Sequence, residues 1–238
     1  MSLLTTVQSV YKRLSFTQPT SVIGNNDLLA VQMLAFTQDI GDELIERWDW
    51  QRLKGAAAPV QFTGNGTTAT FNLPADFKSL SPSDTFVSSV YPTLTLPGPV
   101  GESDLLRMKA TPFALQPSAW RRLGNAIEFY PVLQAGEIVT YVYAGNYWIT
   151  DSLGVTPKAT FTADSDLMRL SERLIMLGVL WKFKRAKGLD YAQENEDFER
   201  SFNRLAAAEN QNDMVEMSVS DYTTDSQTLP SSISYVAP

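Results

Sequence analysis

The chain has 238 residues, of which 44% are hydrophobic and 19% charged, as in ordinary globular proteins rather than disordered ones. It contains no cysteine and no histidine, which excludes thiolate and imidazole catalysis, zinc sites built from those ligands, and structural disulfides. The formal net charge of -7 argues against a nucleic-acid-wrapping surface. The longest apolar run, residues 174–181, is far shorter than the ~20 residues of a membrane-spanning helix. We therefore expect a soluble, non-secreted protein, or one exported only as part of a particle.

The first part of the chain predicts two amphipathic helices. Apolar residues recur at helical spacing over residues 3–15. Asn26 and Asp27 then offer an N-cap, and apolar residues recur every three or four positions to about Trp50. The opposite face of this second helix is polar and carries Gln38, Asp39, Asp42, Glu43, Glu46 and Arg47.

The middle of the chain, about residues 58 to 150, predicts β-structure. Alternating apolar residues on both sides of the turn at 64–66 predict one hairpin, and a second is predicted around Gly124-Asn125. A long strand rich in aromatic and β-branched residues is predicted over 138–148. The proline-rich part between the two hairpins predicts turns and short edge strands, with a single helical turn at 105–110.

Helical patterning returns at Asp164-Ser165. The predicted helix is apolar over more than half its circumference, which is typical of the centre of a bundle. Gly188 fits the left-handed position after this helix, and Asp190 fits the N-cap of the next amphipathic helix, which is predicted to end near Asn210. The short break makes the two helices an α-hairpin.

These elements predict an α+β fold in which the N- and C-terminal helices form a helical bundle and an antiparallel β lobe is inserted between them. The predicted boundaries are 1–55 and 160–211 for the bundle, 56–159 for the inserted β domain, and 212–238 for an extended C-terminal tail. The tail shows no helical pattern and scatters apolar residues among serine, threonine and aspartate. This composition fits an arm that becomes ordered on a neighbour as well as it fits terminal disorder.

Carboxylate pairs such as Asp42-Glu43 and the acidic run at 194–199 lie on polar helix faces, which is typical of a solvated surface rather than of a glycosidase cleft. The four basic residues between Lys182 and Lys187 are explained by the helix dipole better than by phosphate binding. Arg121-Arg122 beside Trp120 could form a platform on which the bases of a single-stranded nucleic acid stack. Residues that alternate between the two faces of a strand explain this sequence better.

The glycine-rich stretches at 64–66 and 98–101 lack the lysine, the spacing and the following helix of a phosphate loop, and are interpreted as turns. No cluster of side chains has metal-ligand spacing. We therefore assign no catalytic residue, no metal site and no cofactor from the sequence.

A series of short segments stands in order along the chain. The segments are Leu3–Val10, Val22–Gly24 leading into Asn26-Asp27, Leu73–Phe77, Leu123–Pro131, Ala135–Glu137, Phe161–Asp164 and Leu180–Ala192. Each is a weak pattern alone, but the ordered series, from residue 3 to about 210, resembles the head-to-tail adaptor (connector) family of tailed bacteriophages.

The resemblance implies a structural virion protein and no enzyme. Adaptors of this family form a ring, usually of twelve copies, beneath the portal, where they extend the DNA channel and dock the tail. The implied partners are the portal protein, neighbouring copies, a tail or nozzle protein, and genomic DNA that passes without sequence-specific binding, with no membrane partner. The implied location is the virion neck, between head and tail, after assembly in the host cytoplasm.

The resemblance also favours an arm over disorder for the tail, because C-terminal arms that reach the portal are a family tendency. The portal-binding residues would then be the apolar residues of this arm, which are Met214, Met217, Tyr222, Leu229, Ile233, Tyr235 and Val236.

Two alternative functions stay open at this point. The first is a connector-associated peptidoglycan hydrolase, although no carboxylate is singled out for it. The second is a receptor-binding tail module that would display Tyr143, Tyr147 and Trp148 on its surface. The adaptor hypothesis instead expects most of these aromatic residues in the β core or at subunit contacts.

Overall fold

The computed structural model describes residues 2–54, 60–80, 86–110 and 118–220, and describes the side chains as far as Glu209. These residues form five α-helices and several small antiparallel sheets, so the predicted α+β class is confirmed. A short 3-10 helix follows the second α-helix, at Gln51–Leu53. The α-helices are α1 (Leu3–Arg13), α2 (Leu28–Arg47), α3 (Glu102–Ala110), α4 (Glu172–Ala186) and α5 (Ala192–Ser220).

The strands of the described residues are short and form four sheets. They are β1 (Val60–Thr63), β2 (Thr70–Asn72), β3 (Phe77–Ser79), β4 (Val87–Ser88), β5 (Ala119–Leu123), β6 (Ala126–Tyr130), β7 (Ile138–Tyr141), β8 (Ala144–Gly145), β9 (Ile149–Thr150), β10 (Pro157–Lys158) and β11 (Leu167–Met168). Three sheets have the strand orders β1-β7-β4, β2-β6-β5 and β10-β9-β11, and the fourth pairs β3 with β8. Every strand pair is antiparallel.

Helix α4 packs against three other helices, as its wide apolar face predicts. Towards α2 it presents Gly178, where a Cβ would lie 2.7 Å from the side chain of Ile40. Towards α5 it presents Trp181, whose ring centroid lies 6.2 Å from that of Phe198. The missing side chain at Gly178 therefore allows α2 to approach α4 closely.

The contacts also give the helix directions. Thr6 lies beside Glu172 near the start of α4, at 3.3 Å between their side-chain oxygens, and the ring of Phe16 lies 6.0 Å from that of Phe183 near its end. The chain of α1 therefore runs along α4 in the same direction. Helix α5 runs the opposite way, because Glu194 near its start pairs with Lys184 at 2.5 Å, whereas Phe198 about one turn later lies beside Trp181, which precedes Lys184 in α4.

The corner between α4 and α5 has the predicted chemistry. Gly188 has a φ of +68°, which only glycine adopts freely. The Asp190 carboxylate accepts the N–H of Ala192 at 3.1 Å, as an N-cap does. Helix α5 was predicted to end near Asn210, but its backbone continues to Ser220. The first residues of the predicted tail are therefore helical, and residues 221–238 lie outside the described residues.

A second buried cluster belongs to the β part of the chain. It contains stacked and edge-on aromatic rings, with Phe62 and Tyr141 at 4.8 Å and Phe86 and Phe129 at 5.7 Å between ring centroids. Aromatic pairs at these separations each contribute about 0.5–1.5 kcal/mol beyond the area that they bury. The helices surround a separate cluster that includes Trp148, although this residue falls in the range predicted for the β domain.

The first predicted hairpin is wrong, whereas the second is confirmed. Strands β5 and β6 pair around Gly124-Asn125 in the expected register, with Trp120 opposite Phe129. Strands β1 and β2 do not pair with each other, since β1 pairs with β7 and β2 with β6. Gly64 instead packs against the loop before β7, where a Cβ would meet the backbone carbonyl of Gln134.

Two other predicted elements begin or end elsewhere. The apolar stripe that predicts a helix from Asp164 includes Leu167, yet Leu167 and Met168 form β11 on the edge of β9, and α4 starts only at Glu172. The long strand predicted over 138–148 is divided between β7 and β8, with β9 following. The single helical turn predicted at 105–110 is the longer helix α3.

Candidate interaction surfaces

An arginine on α2 holds α5 in place. The Arg47 guanidinium donates two hydrogen bonds to the carboxylate of Glu199, at 2.9 and 2.7 Å, and lies 4.1 Å from the ring centroid of Phe202. The hydrogen bond from Arg47 lowers the pKa of Glu199, and the same bond raises the pKa of Arg47. This part of the acidic run therefore serves helix packing.

The other carboxylates weighed for catalysis also have structural partners. Glu43 pairs with Lys182 at 3.1 Å and so links α2 to α4. Glu194 pairs with Lys184 at 2.5 Å and so links α5 to α4. Asp42 accepts the indole N–H of Trp148 at 2.9 Å. On the exposed face of α5, Arg200 forms ion pairs with its helix neighbours Glu196 and Asp197.

The basic stretch at the end of α4 is divided by these contacts. Lys182 and Lys184 are used in ion pairs within the subunit. Arg185 and Lys187 form no ion pair in the described part of the chain, and lie 5.9 and 5.6 Å from the ring centroids of Trp181 and Phe183. Within this stretch, Arg185 and Lys187 therefore carry the positive charge that no ion pair of the described residues uses.

The pair Arg121-Arg122 does not form a stacking platform. Trp120 is 7% exposed and belongs to the β core. Arg121 donates to Glu128 at 2.6 Å and to Glu102 at 2.8 Å, so it ties β5 to β6 and α3. Burial favours a higher pKa for Glu128, but the hydrogen bonds from Arg121 and Lys109 outweigh it and lower the pKa.

The three aromatic residues of the receptor-binding alternative are not exposed. Trp148 is fully buried, and its ring centroid lies 5.3 Å from that of Phe161, in the helical core rather than in the β core. Tyr143 is half-buried and donates to the Asp76 carboxylate at 2.6 Å, and burial together with this bond raises its pKa. Tyr147 is also half-buried.

The outward face of α2 carries an exposed stripe along the length of the helix. Its first half is apolar, with Leu28 70% and Val31 48% exposed, and its second half is acidic. The polar half was predicted from the sequence, but the apolar half was not, because Leu28 and Val31 merge into the general apolar pattern of the helix. We call this set the α2 stripe; its members are Leu28, Val31, Ala35, Asp39, Asp42 and Glu46.

A basic surface lies where α1 and α4 end together. Lys12 and Arg13 occupy the last turn of α1 and are exposed. Phe16 follows α1, is 42% exposed, and brings these residues beside the end of α4 through its contact with Phe183. We call this surface the basic corner; its members are Lys12, Arg13, Phe16 and Lys187.

The residues predicted to bind the portal are not brought together in the described structure. Met214 and Met217 lie on the helical backbone of α5, and their side chains are not described. Tyr222, Leu229, Ile233, Tyr235 and Val236 lie outside the described residues.

The described residues offer neither a metal site nor a membrane-spanning helix. They contain no group of three or more acidic side chains placed to hold a metal ion. No helix among them is both long enough and apolar enough to span a membrane.

The comparisons with known proteins give one answer. No curated protein matches the chain. The profile of the SU10 adaptor protein family matches residues 3–230, which is nearly the whole length, and it covers all of the helices and strands described above. The chain therefore belongs to the SU10 adaptor protein family.

Proposed function

We propose that this chain is the head-to-tail adaptor of a phage neck, and that copies of it form a ring under the portal. In that position the ring extends the DNA channel and docks the tail or nozzle protein. The observation that carries the proposal is the family match over residues 3–230. Membership of an adaptor family implies a structural role in the virion and interaction with the portal and tail proteins.

The architecture that goes with this role is a helical bundle that carries an inserted β lobe. It is supported by the two separate buried clusters, one lined by α1, α2, α4 and α5 and the other by the β strands. In such a subunit the bundle supplies contacts between copies, and the lobe is free to meet the tail.

The charge of the chain suits a channel that DNA passes through. Each subunit has a net charge of -7, and a ring multiplies this acidic excess. An acidic wall repels phosphates and so leaves the passing DNA without a binding site. The proposal therefore includes no sequence-specific DNA contact and no cofactor.

The C-terminal residues are proposed as the arm that docks on the portal. Removing residues 213–238 leaves in place the buried side chains that are described for α5, which are Phe198, Phe202 and Ala206. It also keeps the contact in which the Gln51 N–H donates to the Glu209 carboxylate at 2.9 Å. We expect the truncated chain to fold and to lose binding to the portal protein encoded in the same genome.

Binding is measured by co-sedimentation or surface capture of the purified portal, with thermal melting as the folding control. A second truncation after Ser220 keeps Met214 and Met217 and tests whether the last residues alone carry the docking. If the chain without residues 213–238 still binds the portal as before, the arm proposal is wrong, while the adaptor role stays intact.

A further inference from the structure

The α2 stripe has the spacing of a helix that docks on another helix. Its members follow one another at intervals of three and four residues from Leu28 to Glu46, which is the spacing that keeps one seam of an α-helix facing a partner. The opposite face of α2 is used inside the subunit, where Ile40 packs against Gly178. The stripe itself stays exposed.

The acidic half of the stripe is not explained by local structure. Glu46 lies in the last turn of α2, where the helix dipole disfavours negative charge. Asp39 and Glu46 form no ion pair within the described part of the chain, unlike Glu43 on the neighbouring face, which pairs with Lys182. These two exposed carboxylates are therefore available to cations of another subunit.

The basic corner has the complementary character. Lys12 and Arg13, like Lys187, form no ion pair within the residues that the structure describes, and Phe16 adds an exposed ring among them. Three unpaired cations and an aromatic ring match a helix face that carries unpaired carboxylates and aliphatic side chains.

The two surfaces also lie at corresponding heights of the bundle. The acidic half of α2 lies near the end of α4, because Glu43 pairs with Lys182 there, and the basic corner lies near the same end through Phe16 and Phe183. The two surfaces face different sides of α4. Residues 182 and 183 differ by about 100° around a helix of 3.6 residues per turn. A rotation about an axis along the bundle then brings the acidic half of one copy level with the basic corner of the next.

We propose that the α2 stripe of one copy binds the basic corner of the adjacent copy, and that this contact closes the adaptor ring. The proposal rests on the proposed function, since it names the faces by which the ring forms. Because the two surfaces differ, the contact is heterologous, which is the type that generates rings. The acidic half of the stripe meets the basic corner and so sets the height of the contact.

Charge reversal tests this pairing. The stripe variant is Asp39→Lys with Glu46→Lys, and the corner variant is Lys12→Glu with Arg13→Glu. Asp42 is left unchanged because it accepts the indole N–H of Trp148. Assembly is measured as the ring population on the portal protein by native mass spectrometry, with circular dichroism and thermal melting as folding controls.

Each variant alone places like charges at every contact, so we expect each contact to weaken at least about tenfold, which corresponds to ~1.4 kcal/mol per contact, and the ring population to fall by more than that. In an equimolar mixture, a ring with an even number of copies in which the two variants alternate has opposite charges at every contact, so the mixture is expected to assemble. A chain that carries all four substitutions should also assemble, although it contains the same individual changes. A matched control, Glu196→Lys with Arg200→Glu on the exposed face of α5, should assemble like the unsubstituted chain.

The pairing is wrong if either variant alone forms rings, or if neither the mixture nor the fourfold variant restores them. The adaptor role still stands in that case, provided that the unsubstituted chain forms rings. Failure of the unsubstituted chain to form rings on the portal would instead remove the proposed function and, with it, this inference.

Discussion

Replacing Gly41 by alanine tests how α2 packs in the helical core. A Cβ on Gly41 would overlap the six-membered ring of Trp148. The indole has no space to retreat, because it is fully buried, packs edge-on against Phe161 and donates its N–H to Asp42. The substitution therefore forces α2 away from this residue or turns the indole out of its site.

The expected loss follows from two opposing effects. Overpacking of a core costs about 1–3 kcal/mol, and the overlap at Gly41 is with a ring held on several sides, which places it at the upper end. Alanine favours the helix interior over glycine by about 1 kcal/mol. We expect a net loss of about 2 kcal/mol in the free energy of unfolding. At roughly 2–4 °C of Tm per kcal/mol for a chain of this size, the Tm should fall by about 4–8 °C.

The measurement is urea unfolding followed by far-UV circular dichroism, in the normal chain and in a Trp148→Leu background. The smaller leucine removes the overlap, so the same Gly41→Ala change should stabilise that background by up to about 1 kcal/mol. An equal effect in both backgrounds, or a Gly41→Ala chain more stable than the original, would refute the packing argument.

Three further predictions concern stability. Gly178→Ala should lower the free energy of unfolding by about 1–2 kcal/mol because its Cβ meets Ile40, and Ile40→Val should relieve part of the loss in a double-mutant cycle. Arg47→Met should weaken the docking of α5 by about 1 kcal/mol through loss of the bond to Glu199, measured by urea unfolding, and an unchanged unfolding midpoint would contradict it. Asp166 is buried, but hydrogen bonds from Lys158 and two backbone N–H groups outweigh burial and lower its pKa. The carboxylate therefore stabilises the fold above its unfolded pKa of about 3.9, and this stabilisation is lost as the pH falls through the lower pKa of the folded state. Asp166→Asn should cost about 1–3 kcal/mol at pH 7 and flatten the acid side of the stability curve; a curve of unchanged shape would contradict the assignment.

Local signals predicted the elements whose contacts are close in sequence. The corner at Gly188 and Asp190 depends on backbone conformation within a few residues, and the turn at Gly124-Asn125 joins strands that pair with each other. Such features follow from turn and cap chemistry alone. The apolar circumference of α4 likewise predicted a helix with neighbours on several sides.

Distant partners explain the predictions that were wrong. Alternation around Gly64–Gly66 resembles a hairpin, but β1 finds its partner in β7, far along the chain, and Gly64 is needed for close backbone approach. Leu167 fits a helical stripe equally well, yet pairing with β9 draws it into a strand. A local pattern does not contain these pairings, which depend on tertiary context.

The surfaces were less predictable than the fold. Polar positions of α2 were recognised, but whether a carboxylate such as Glu43 is paired depends on a partner such as Lys182, which only the folded chain brings near. The exposed leucine and valine at the start of α2 look like core residues in the sequence.

The central claim is that this chain assembles into a ring on the portal. The most direct measurement is its native mass, by light scattering or mass spectrometry, with and without the portal protein encoded in the same genome. We expect a complex with the portal that contains a closed ring of about a dozen copies. A chain that stays monomeric in the presence of that portal would contradict it.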